Sequence, residues 1–147
     1  MNLSKMNASF VAFVAVLGFS SMVVLPASAQ VAVDIPQEAL SATAASCTSG
    51  DACAVAVQAL IDQLVAANPG TDVSLIVGSV VSAIAAGYNA GSFPAVAAQF
   101  ALASAASIAT ASGLTELAAT ATAAATTVAS GDPIDLEAVA EASGSPA

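Results

Sequence analysis

The chain has 147 residues, with ten carboxylates against a single basic side chain, Lys5, no His and no Trp, for a formal net charge of −9. A chain without cations beyond Lys5 cannot neutralise phosphates, so nucleic-acid binding is excluded on the counterion argument, and anionic membrane surfaces repel it. The bases that activate Ser, Thr or Cys, and the cations that stabilise developing negative charge, are missing too, so neither enzymatic activity nor a cofactor is expected.

Residues 1–29 read as a secretory signal peptide. The amino terminus and Lys5 form a positive n-region, an uncharged stretch runs from Phe10 to Leu25, and Pro26 precedes the small-residue triplet Ala27-Ser28-Ala29. The apolar run falls short of the ~20 residues that span a bilayer, and no cysteine stands at the cleavage point to accept a lipid. The mature chain is therefore expected to begin at Gln30, to be secreted to the periplasm or beyond the cell, and to form one small helical domain over 30–147. Alanine supplies 35 of the residues from Gln30 onward. Alanine favours helix but buries little, which predicts close helix-to-helix approach and modest stability per residue.

The leading segment, 30–50, carries a short helix after Pro36. Cys47 and Cys53 are the only cysteines, and with five residues between them in an oxidising compartment they are expected to pair. The chain-entropy gain for so small a loop is about 2 kcal/mol. A zinc site would need two further soft ligands, and there is no His to offer. Asp51 is the candidate N-cap of a helix to about Ala67, with Cys53, Val57, Leu60, Ile61, Leu64 and Val65 on one side and Gln58 and Asp62 on another.

Stop signals follow at Asn68-Pro69-Gly70, Asn89-Ala90-Gly91, Ser112-Gly113 and Ser130-Gly131, and each interval fits one helix plus a short connection. The second long helix starts at Thr71 or Asp72 and carries Val73, Ile76, Val77, Val80 and Ile84. Ser74, Gly78, Ser82 and Ala86 form a small-residue ridge at i+4 spacing, a candidate close contact for another helix. Within the same helix, Leu75 to Val81 has the β propensity and lack of charge that suit a cross-β fibre. Ser92 and Pro94 open a third helix with Val96, Phe100 and Ile108. Tyr88, the lone tyrosine, sits at the intervening helix end in a packing role.

Val73 to Thr115 contains no charge at all, so residues 72–112 also suit a membrane-inserting hairpin. Their richness in Ala, Ser and Gly and their lack of positive anchors fit a buried hairpin better. Thr115 or Ser112 opens a fourth helix of Ala and Thr. Thr115, Thr122 and Thr126 fall close to one face, and the 11-residue step from Thr115 to Thr126 resembles the Thr repeat of alanine-rich fish antifreeze helices. The resemblance covers one interval, and Thr120 and Thr127 break its pattern.

Asp132-Pro133 is expected to start a short last helix ending near Ser143-Gly144, with 143–147 frayed. Asp132, Asp135, Glu137 and Glu141 lack the spacing of a calcium loop and read as a solvated helix start. The sum is an all-α fold of about five helices, Ala-rich, built as a small bundle or a short stack of helical hairpins. Such a protein is expected to serve a structural or protein-binding role, with an unidentified protein partner or by self-association. The alternatives are the membrane hairpin and a self-assembling extracellular fibre.

Overall fold

Six helices, with no strand among the described residues, make up the computed structural model of the protein, which describes residues 33–144. They are α1 (Gln37–Ser46), α2 (Gly50–Ala67), α3 (Val73–Asn89), α4 (Ala95–Ala111), α5 (Thr115–Ser130) and α6 (Leu136–Ala142). The expected signal peptide and residues 145–147 of the tail lie outside the described residues. The four long helices are the four intervals that the stop signals mark out, and Gly70, Gly91, Gly113 and Gly131 all have positive φ. At Gly131 the left-handed cap lets its N–H reach the Val128 carbonyl at 3.0 Å, while the N–H of Asp132 returns to Thr127 at 3.2 Å. A side chain there would be strained, and the helix ends because the chain reverses at glycine.

Two helix starts differ from the sequence expectation. Ser49, not Asp51, caps α2: its hydroxyl accepts the Ala52 N–H at 3.3 Å, and Asp51 lies inside the first turn, where its charge faces the positive end of the helix dipole. The last helix opens at Leu136, not at Asp132-Pro133. Asp135 accepts the N–H groups of Glu137 and Ala138 at 3.0 and 3.3 Å, the two-donor arrangement of an effective N-cap.

Packing is organised around α4, which touches α1, α2, α3 and α5. Its buried positions are mostly alanines, Ala97, Ala98, Ala101, Ala105, Ala106 and Ala109, with Leu102 and Ser104. Helix α5 presents Ala118, Ala121, Ala124 and Ala125 with Leu117 and Val128, and α4–α5 is the most extensive helix pair. Alanine methyls predominate on both sides, which favours a close approach of the two axes. The bulk comes from α3, whose Ile76, Val77, Val80, Val81 and Ile84 are fully enclosed, and from Val57, Leu60, Ile61 and Leu64 of α2. The β-prone window Leu75–Val81 is thus the helical centre of α3. Helix α6 packs on α3 and α5.

Candidate functional site

Cys47 and Cys53 form a disulfide, with exposures of 3% and 0%. It joins the C-cap of α1 to the first turn of α2. Both sulfurs are enclosed by the core, which suits a structural bond and leaves no open thiol for chemistry.

The small-residue row on α3 is divided between neighbours. Gly78 is buried, and a Cβ built on it would collide with the Ser143 Cβ and lie 3.1 Å from the Ser143 Cα. Ser74 lines a groove with Leu114, Glu116, Ala142 and Ser143. Ser82 is half-buried, and Ala86 is exposed at a different groove, beside Leu40, Gly87 and Phe93. The divergence is geometric: four residues advance an α-helix by about 400°, so an i+4 row turns by about 40° at each step.

One contact gave no sequence signal beyond a helix stop. The Asn89 side-chain amide donates to the Ile134 carbonyl at 2.8 Å, and its carbonyl accepts the Ile134 N–H at 2.9 Å. This pairing holds the chain between α5 and α6 against the end of α3, across 45 residues of sequence. Ile134 is buried there, and the helix starts only after it. An asparagine in a turn announces itself as a turn former, and its partner is visible only once the chain is folded.

All ten carboxylates are exposed. None faces another in an enclosed cleft, the arrangement that carboxylate catalysis requires. Among the described residues no group of three or more His, Cys, Asp or Glu could hold a metal ion. Helix α2 is long and apolar enough to cross a membrane by length and composition, whereas α3 and α4, the hairpin suspected from the sequence, are 17-residue helices that turn Ile76, Val77, Val80, Val81, Ile84 and Leu102 into the core and leave Val73 and Val96 exposed.

The groove between α4 and α5 carries no ionisable group; Glu116, the one carboxylate of the two helices, lies outside it in the first turn of α5. Gln99, Ala103, Ser107 and Thr110 of α4 face Thr122, Thr126 and Ala129 of α5 across a shallow groove of about 370 Å³. Four hydroxyls line it, and each donates to its own helix four residues back: Ser107 to Ala103 at 3.2 Å, Thr110 to Ala106 at 2.8 Å, Thr122 to Ala118 at 2.8 Å and Thr126 to Thr122 at 3.0 Å. With those donors engaged, the face offers methyl groups, the hydroxyl oxygens as acceptors and the Gln99 amide. A second groove, on the other side of Ala103 and Ser107, has Phe100 and Ile108 with Gly50, Ala54 and Gln58 of α2 along it. The two together make a broad surface free of charge on a strongly anionic chain. Thr115 lies outside the first groove, so the threonine row of the sequence enters it only through Thr122 and Thr126.

Set against known protein families, curated proteins and solved structures, the chain matches none of them.

Proposed function

We propose that this is an exported, non-catalytic protein with a structural or protein-binding role, working through the uncharged outer face of α4 and α5. The observation that carries the reading is the contrast in charge. Ten exposed carboxylates cover the ends and flanks of the bundle, while the groove between Gln99, Ser107, Thr122 and Thr126 carries none. Its four hydroxyl protons are already bonded within their own helices, so covering the face strands no hydroxyl donor. Small side chains also lose little rotamer freedom when covered. Export is supported by the leader-like first 29 residues and by the disulfide, which belongs to an oxidising compartment.

Net negative charge keeps copies of such a chain apart, so the face should meet a second copy when that charge is lost. Light scattering along a pH series tests this. Hydrodynamic size should grow as the pH falls towards about 4, where Asp and Glu protonate, and a Ser107→Lys variant, which places a permanent charge in the groove, should resist the growth. Unchanged size in the wild-type protein, or equal growth in the variant, would remove the face from the account.

A further inference from the structure

The two end elements of the fold are held in different ways. Residue Ile134, ahead of α6, is clamped by two hydrogen bonds to Asn89, and Ser143, behind it, closes over Gly78. At the other end, no hydrogen bond among the described residues joins 33–48 to the body of the bundle: Thr43 donates to Ala39 and Ser46 to Ala42, both inside α1. Only two of the ten residues of α1, Leu40 and Thr43, are buried, with Val33 buried ahead of it. Troughs run along both flanks of α1, one of about 330 Å³ towards Gly87 and Phe93 and one of about 190 Å³ towards Ala56 and Leu60. A ten-residue helix is too short to persist without its packing partners. What fixes it is the bridge from Cys47 to Cys53 at its C-terminal end.

We propose that residues 33–46 form a hinged strap that opens about the Cys47–Cys53 bridge while α2 to α5 stay folded, uncovering Leu60 and Phe93. Both are 4% exposed with the strap closed, and each lines one of the troughs beside it. The bridge does not break in this motion. It keeps the strap within reach of its seat, so reclosing is intramolecular. Opening of this kind belongs to the low-stability end of a fold, where few apolar contacts and no tertiary hydrogen bonds must be broken.

Native-state amide hydrogen exchange on the intact, bridged protein tests the proposal. The amides of α1 should exchange at least about a hundredfold faster than those at the centre of α4, through openings that leave α4 protected. Leu40→Ala should speed exchange in α1 by at least about thirtyfold, the equivalent of the smallest Leu→Ala core cost. Leu117→Ala, a change in the core of α5, should instead speed exchange at the centre of α4 and leave α1 unchanged, because the body stays folded when the strap opens. Removing the tether in Cys47→Ala/Cys53→Ala should lower α1 protection further, by a factor of tens, because the open strap is no longer confined. Equal protection of α1 and α4 in the wild-type protein would overturn the proposal. So would a Leu117→Ala effect of the same size in both helices, since α1 would then open only when the whole bundle does.

Discussion

Replacing Gly78 by alanine sets two effects of opposite sign against each other, and the structure decides between them. Within a helix the change favours folding by up to about 1 kcal/mol, because glycine has more backbone freedom to lose. The added methyl, however, would collide with the Ser143 Cβ and lie 3.1 Å from the Ser143 Cα. Neither atom is the end of a flexible side chain that could swing away. Helix α6 would have to move bodily, and Val139, 1% exposed, would move with it. Forcing an extra methyl into such a contact costs about 1–3 kcal/mol, so a net loss of up to about 2 kcal/mol is expected. For a domain of this size that is a fall in melting temperature of up to about 12 °C. Circular-dichroism melts of wild type, Gly78→Ala, Ser143→Gly and the double variant measure it, and Gly78→Ala should cost less in the Ser143→Gly background, where the colliding Cβ is gone. A Gly78→Ala protein that melts at or above the wild-type temperature would show that α6 does not close over α3 there.

Asn89→Asp should destabilise by about 1 kcal/mol at neutral pH, because a carboxylate cannot donate to the Ile134 carbonyl and repels it. In urea titrations Asn89→Asp should approach the wild type as acid restores a donor to the aspartic acid, while Asn89→Ala, with neither donor nor acceptor, should not; an Asn89→Asp variant as stable as wild type at pH 7 would refute the clamp. Intact-mass measurement on secreted material should give a chain that starts at Gln30 and takes up no alkylating agent in denaturant without reductant, as the Cys47–Cys53 bond requires. A mass that includes residues 1–29 would refute the cleavage site.

Much of the architecture is legible in the sequence because glycine punctuates it. Gly70, Gly91, Gly113 and Gly131 occupy the left-handed positions that end or follow α2 to α5, and only glycine enters those positions readily. The face of α2 is legible for the same local reason, since Cys53, Val57, Leu60, Ile61 and Leu64 recur at helical spacing and all are buried. Val65 stands at the edge of that stripe and is 39% exposed. Helix α4 is harder to place, because alanine on every side gives no preferred face, and its central position follows from the four neighbours that cover it. The exact start of α6 was hidden because it depends on Asn89, which lies 45 residues upstream of Ile134. The ridge on α3 was legible as small residues but not as two contacts, since the partners of Gly78 and Ala86 come from opposite ends of the chain. Of the groove on α4 and α5 the sequence shows the absence of charge from Val73 to Thr115, while the pairing of Ser107 and Thr110 with Thr122 and Thr126 needs the two helices docked.

The account rests on the α4–α5 face as the surface through which the protein meets its partner, and amide chemical shifts followed over a concentration series at a pH of about 4, where the carboxylates lose their charge, test it most directly. Shifts that depend on concentration should be confined to the groove, at Gln99, Ala103, Ser107, Thr110, Thr122 and Thr126. Shifts centred on the carboxylate-bearing ends of the bundle, around Asp51, Asp72 or Asp135, or none at any concentration, would contradict it.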